Sequence, residues 1–256
     1  DGWGIFFFSS VFLGTIDFHR IEMCRMLGLI GENIPAKEFL AEFRKLATHG
    51  KVLAFAPPGH RDGWGIAALN ENTIYERSPR PADSDSRYND VMEKIGNNFT
   101  GIILAHLRKA SMGSCTVENN HPFQKNGHYF IHNGTVYFPD VRGSDSRHYM
   151  KWLFKKGEGR VETRYQEFRS YLRQSKISYS SISNMLINDN SLYALRSFRS
   201  HPDYYSMYYR QHNDYFVITQ EPLLLKNITS KVWNEVEPHT MIKIGLEDLK
   251  LEKMPL

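Results

Sequence analysis

The sequence predicts an α+β domain that begins at Cys24 and runs to Leu256. Three observations predict it. Phe39, Leu40, Phe43, Leu46 and Ala47 recur at the spacing of an amphipathic helix over Ala36–Ala47. Gly101–Leu107 is a continuous apolar run of strand length, the pattern of a buried strand. The last third alternates strand-like segments with turn residues at Asn188–Asn190, His212–Asn213 and Pro238.

The elements follow in order. Met26–Ile30 reads as a short apolar strand ended by Gly31. Pro57, Pro58 and Gly59 mark a loop after the first helix. Gly63–Leu69 and Thr73–Glu76 predict a hairpin around Asn70–Asn72. Pro79–Ser86 is a loop, and Tyr88–Ile95 a helix. Ser111–Phe123 is polar and irregular. His128–His132 is a strand that stops at Asn133–Gly134. Ser146–Lys156 and Thr163–Ser175 read as helices joined at Gly157–Gly159. Strands are expected at Leu192–Phe198, Tyr205–Tyr209, Tyr215–Thr219, Lys231–Val236 and Met241–Ile244.

Residues 1–23 stand apart as an N-terminal extension, either a propeptide or a stretch upstream of a true start at Met23. The pentapeptide DGWGI occurs at Asp1–Ile5 and again at Asp62–Ile66, but the surroundings of the two copies do not match. The apolar tract Ile5–Gly14 has no basic leader, so it does not read as a secretory signal. No apolar run reaches the ~20 residues needed to span a bilayer. A cytoplasmic protein with no membrane partner is therefore expected.

Composition narrows the function classes. With 41% hydrophobic and 23% charged residues, the chain is neither disordered nor fibrous. The 32 basic and 28 acidic side chains are mixed along the chain and leave a net charge of only +4. Lys151–Arg173 is the nearest thing to a basic block and reads as a solvated helical face, so no nucleic-acid site is predicted. Two cysteines in 256 residues make no disulfide framework and fit a reducing compartment. There is no HExxH, no paired CxxC, no P-loop and no Gly-rich dinucleotide fingerprint. Neither a metal nor an organic cofactor is expected.

Five residues could carry chemistry. Cys24 would be nucleophile and base together if Met23 were removed, because the α-amine of a terminal residue has a pKa of ~7.7–8.0. Otherwise it is a small buried hydrophobe. Cys115, in SMGSCTVENN, reads as an incidental loop residue. Asn133 and Gly134 close a strand and either make a plain turn or offer two donors for an oxyanion. Arg108 ends the buried strand, placed to grip a carboxylate or simply to meet solvent. Asp145 begins a helix, as a cap or first-turn carboxylate or as an acceptor for a substrate ammonium. His106, His121 and His132 could cluster, and satisfied structural imidazoles are the plainer reading of them.

The order of these motifs is more specific than any one of them. Met23-Cys24, DGWGI, AHLRKAS, NNHPF, IHNG, GSDS and VITQEPL with Trp233 follow one another along the chain. That series resembles the class II glutamine amidotransferases of the N-terminal nucleophile hydrolase superfamily, closest to the stand-alone branch. The resemblance covers nearly all of the chain from Cys24 to about Ile244. It implies a four-layer αββα sandwich with two antiparallel sheets between helical layers. It implies that Cys24 is the nucleophile, Asn133 and Gly134 the oxyanion hole, Arg108 the partner of the substrate α-carboxylate and Asp145 that of its α-ammonium. Arg108-Lys109-Ala110-Ser111-Met112 departs from the Arg-Trp-Ala-Thr-His of synthase-fused members, which favours the stand-alone branch.

The implied reaction is hydrolysis of the γ-amide of glutamine, or of a related γ-glutamyl amide, through a γ-glutamyl thioester. Partners would be glutamine or a γ-glutamyl small molecule and, for a true amidotransferase, a separate ammonia-accepting enzyme; no oligomeric state is fixed. Two other readings stay open: a γ-glutamyl peptide or thiol hydrolase, and a non-catalytic binding module if Cys24 stays blocked. Trp64, His121 and Trp233 are expected to shape and pack the pocket.

Overall fold

Strand residues of alternating parity face two different cores, and that alternation builds the molecule. The computed structural model describes residues 24–53, 57–110, 114–141, 143–155, 159–225 and 233–256. The expected extension 1–23 lies outside them. In chain order the elements are β1 (Arg25–Ile34), α1 (Ala36–His49), β2 (Trp64–Leu69), β3 (Ile74–Ser78), α2 (Ser86–Ile95), β4 (Phe99–Leu107), β5 (Phe123–Lys125), β6 (His128–Asn133), α3 (Asp145–Leu153), α4 (Val161–Gln174), β7 (Ser183–Ile187), β8 (Ser191–Arg196), β9 (Tyr208–Gln211), β10 (Tyr215–Thr219), β11 (Asn234–Glu235), β12 (Thr240–Gly245) and β13 (Leu251–Pro255).

The first sheet has the order β11-β9-β10-β1-β4-β2-β3, with antiparallel pairing throughout. The second has the order β13-β12-β8-β7-β6-β5, also antiparallel. On β1, Leu27 and Leu29 join a core with Phe39 and Phe43 of α1 and Tyr88 of α2. Met26 and Ile30, of the other parity, pack against Met185, Ile187, Leu192 and Ala194 of the second sheet. The far face of that sheet, with Phe130, Leu186 and Leu195, packs on Tyr149 of α3 and Phe168 of α4. The result is the expected four-layer αββα sandwich. Gly28 sits where the sheets come closest: a Cβ there would lie 2.7 Å from Leu192 Cδ1 and 3.2 Å from Met185 Sδ.

Several elements differ from expectation for identifiable reasons. Gly31 does not end β1; it sits at a register shift inside the strand, with φ +136°. A side chain there would meet the Asp214 and Tyr215 backbone, so the glycine serves a close approach rather than a stop. β5, β7 and β13 were not anticipated. β7 is hidden by Ser183 and Asn184, polar residues whose partners exist only after folding: Asn184 donates to Ile182 O (2.9 Å) and Tyr149 Oη (3.1 Å) and accepts from Tyr165. The strand expected at Tyr205–Tyr209 starts at Tyr208. Tyr205 is instead a buried ring whose hydroxyl donates to Ser180 Oγ at 2.9 Å. Of the strand expected at Lys231–Val236, only Asn234–Glu235 is a strand among the described residues.

The start of α2 anchors the β2–β3 hairpin. Asp85 caps the helix by accepting from Arg87 N–H at 3.2 Å. Its other oxygen accepts from Trp64 Nε1–H (3.1 Å), Ser78 Oγ–H and the Arg87 guanidinium (3.0 Å). Burial pushes this carboxyl up, but the hydrogen bonds from Arg87, Ser78 and Trp64 outweigh it and hold it near about 2, below its ordinary 3.8. The folded-state value is depressed, so the stabilisation is present above the ordinary value and fades as pH falls toward the folded one. Asp85→Asn is therefore expected to lower stability by about 1–3 kcal/mol at pH 7. Urea unfolding of both proteins should show the difference shrinking between pH 5 and pH 3; a constant difference would contradict the account.

Candidate active site

Strand register gathers the site at one end of the two sheets. Arg25 lies opposite Leu107 in the β1–β4 pair, which sets Arg108 and Lys109 beside Cys24. The Cys24 thiol donates to the Lys109 carbonyl at 3.5 Å. Asn133, the last residue of β6, shares the inward parity of Ile131 and meets Cys24 from the second sheet. Its Oδ1 accepts from Cys24 N–H and its Nδ2 donates to the Cys24 carbonyl, both at 3.0 Å. Arg25 Nη1 donates to the same carbonyl at 3.0 Å.

A narrow cleft of about 20 Å³ is lined by Cys24, Arg108, Lys109, His121, Gly134 and Asp145 among others. Four of the five candidate residues thus share one cavity. The fifth, Asn133, is fully buried and tied to the Cys24 main chain. Gly134 has φ +146°, and a Cβ on it would collide with the Ser181 carbonyl. Only glycine fits that corner.

The two charged residues are held from behind. Arg108 is buried, and its Nη1 donates to Ser114 O at 3.0 Å and to Asn120 Oδ1 at 3.4 Å. Asp145 is the first residue of α3, while Ser144 is the cap, accepting from Arg147 N–H at 3.3 Å. Asp145 Oδ2 accepts from Val136 N–H at 2.8 Å. A carboxylate at a helix N-terminus is electrostatically favoured there, and its own negative charge is what would attract an ammonium.

DGWGI explains how Arg108 is placed. Asp62 N–H donates to Arg108 O (3.0 Å), Arg108 N–H donates to Gly63 O (2.8 Å), and Asp62 Oδ2 accepts from Ala110 N–H (2.8 Å). A Cβ at Gly63 would strike Asn120 Nδ2, and one at Gly65 the His121 carbonyl. The glycines of one motif therefore admit the NNHPF segment against β2. Trp64, by contrast, points into the outer core with Tyr88, and Trp233 packs against that same core. Of the three residues expected to shape the pocket, His121 lines it.

Electrostatics differ sharply among the cleft groups. Burial pushes the Cys24 thiol up to about 11, against the pull of the Lys109 backbone bond and of Arg108. His132 is held below its ordinary value by burial; its Nε2 faces Ser181 O (3.0 Å) and its Nδ1 faces Ser146 Oγ (2.8 Å). His121 is held far below its ordinary value by burial and by the neighbouring His106, His132 and Arg108. Its ring nitrogens have no hydrogen-bond partner among the described residues. The rings of His106 and His121 lie 4.3 Å apart. Among the described residues no three His, Cys, Asp or Glu side chains are grouped to hold a metal ion. No helix among them is long and apolar enough to cross a membrane.

Two residues of VITQEPL escaped assignment from sequence. Glu221 pairs with Arg25 at 2.8 Å, and Gln220 Oε1 accepts from Asn133 Nδ2 at 2.8 Å. The motif's position after a strand was visible, but the partners lie about 90 to 200 residues away in sequence, beyond any local pattern.

Comparison with known proteins gives the family and the fold. The model of the class-II glutamine amidotransferases matches residues 23–194. A curated relative, "Putative glutamine amidotransferase YafJ" of Escherichia coli (strain K12), is 27% identical over 157 residues, covering 52% of this chain and 55% of YafJ. The chain thus spans about half the length of that relative. A glutamine aminotransferase class-II domain protein from Silicibacter pomeroyi superposes with a TM-score of 0.58 at 18% identity, over 91% of this chain and 99% of that one. The glutamine phosphoribosylpyrophosphate amidotransferase of B. subtilis superposes with a TM-score of 0.62 at 14% identity, over 91% of this chain and 49% of that one. At such identities the two structures speak for the fold. With the family model covering well over half of it, the chain belongs to the class II glutamine amidotransferases.

Proposed function

We propose that this chain hydrolyses the γ-amide of glutamine, or of a related γ-glutamyl amide, with Cys24 as nucleophile when its α-amine is free, either because residues 1–23 are a removed propeptide or because they lie upstream of a start at Met23. One observation carries the reading: Cys24, Arg108, Gly134 and Asp145 line a single cleft while Asn133 holds both main-chain groups of Cys24.

A thiol pushed up to about 11 is not a nucleophile at neutral pH without a base. Lys109 cannot serve, because its ammonium donates to the Pro57 (2.8 Å) and Gly59 (3.2 Å) carbonyls. His121 is held too acidic, and His132 has both nitrogens engaged. A free Cys24 amine supplies the base on the same residue. It takes the thiol proton, and the sulfur attacks the carboxamide carbon. The oxyanion is held by Gly134 N–H and Asn133 Nδ2. Asn133 can turn one hydrogen from the Cys24 carbonyl to the oxyanion, because Arg25 still donates to that carbonyl. Such a donor contributes ~100–1,000-fold in rate. The amine departs with the proton from the α-ammonium and leaves a γ-glutamyl thioester. Water, deprotonated by the same amine, then releases glutamate and restores the thiol.

Arg108 and Asp145 would fix the α-carboxylate and α-ammonium, so the reacting carbon lies at the sulfur. Ammonia would pass to a separate acceptor enzyme or be released. Two free thiols suit the cytoplasm.

Three outcomes test this. Protein produced with Cys24 as its first residue should release glutamate from glutamine, and Cys24→Ala should reduce the rate to background; glutamate release by the alanine variant would sink the assignment. Arg108→Lys should raise KM by about tenfold or more, because a point charge cannot reproduce the guanidinium fork. In the chain that keeps residues 1–23, iodoacetamide at pH 8 should alkylate exposed Cys115 well before Cys24. The reverse order would show a base other than the α-amine.

A further inference from the structure

Gln220 follows the last residue of β10 and belongs to the first sheet, where its N–H donates to Met26 O at 3.3 Å. Its side chain crosses to the second sheet. Oε1 accepts from Asn133 Nδ2 at 2.8 Å, and the residue is only 2% exposed. Its own Nε2 is buried without a hydrogen-bond partner among the described residues. An apolar side chain of the same size would avoid that orphan. What the glutamine adds is the carbonyl that faces Asn133.

That carbonyl has a defined consequence. A carboxamide can turn over and exchange its oxygen and nitrogen with little change of shape. Asn133 must present Oδ1 to Cys24 N–H and Nδ2 to the other side. One Nδ2 hydrogen goes to Cys24 O and the second to Gln220 Oε1. When the first is diverted to an oxyanion, Gln220 Oε1 is the acceptor that still holds Nδ2, opposite the Cys24 N–H on Oδ1.

We propose that Gln220 is a positioning residue: its side-chain carbonyl locks the Asn133 carboxamide, and through it Cys24, in the productive arrangement. The inference rests on the hydrolytic reading above. It is tested in the protein that starts at Cys24, with Gln220→Met and Gln220→Ala, which remove the acceptor, and Gln220→Glu, which keeps one. The Met and Ala variants should lose about 10- to 100-fold in kcat, the scale of loss when partners that orient metal ligands are removed. KM should stay within about threefold, and Gln220→Glu should recover most of kcat. In an Asn133→Ala background Gln220→Met should cause no further loss, because the two act as one unit.

A second readout does not depend on turnover. Gln220→Met should raise the iodoacetamide alkylation rate of Cys24 several-fold and leave that of Cys115 unchanged, and the rise should vanish with Asn133→Ala. Unchanged kcat and unchanged alkylation, or a full additional loss on top of Asn133→Ala, would overturn the proposal. Wild-type protein that hydrolyses no γ-glutamyl amide would instead sink the hydrolytic reading, and Cys24 alkylation would still decide whether Gln220 positions Asn133.

Discussion

The two hydrogen bonds between Asn133 and the main chain of Cys24 are the constraint on which the site depends. Each sheet could pack against its helices without them. They fix how the end of β6 meets the start of β1 where the sandwich opens. The sheets approach closely because Gly28 has no side chain to hold them apart. Cys24 on one sheet and the Asn133–Gly134 corner on the other stay in register only while that contact holds. This is the sense in which a site on strand ends is more precise than one on loops.

The cleft gathers two buried side chains of opposite charge. Arg108 and Asp145 are both buried, and each is supported by backbone or amide partners rather than by the other. The His106–His121 pair beside them is held neutral, so it adds shape and polarity without adding charge. Burial suppresses the ionisation of the thiol.

Much of this was legible in the sequence. The helix stripe of α1, the β2–β3 hairpin and the buried β4 follow from periodicity and turn chemistry. Arg108, Asn133, Gly134 and Asp145 stand out by residue type at strand and helix ends and Cys24 by following Met23, and the order of motifs supplies the resemblance that joins them. Three things were not legible. Gly31 looked like a terminator because a close approach by the Asp214–Tyr215 backbone cannot be seen in one strand. β7 looked polar because the partners of Asn184 lie on α3 and α4. Gln220 stands out in the sequence only as a member of VITQEPL, because its partner Asn133 lies in the other sheet. Trp64 misled in the other direction: its motif is part of the site's scaffold, but the ring itself anchors a helix cap through Asp85.

The central claim is that a glutamine-shaped ligand places its side-chain carbonyl carbon at the Cys24 sulfur. Its most direct test is covalent capture with a diazoketone analogue of glutamine, applied to protein beginning at Cys24 and followed by peptide mapping. The account predicts one adduct, on Cys24, suppressed by excess glutamine. An unmodified Cys24, or a label on Cys115 that glutamine does not suppress, would contradict it.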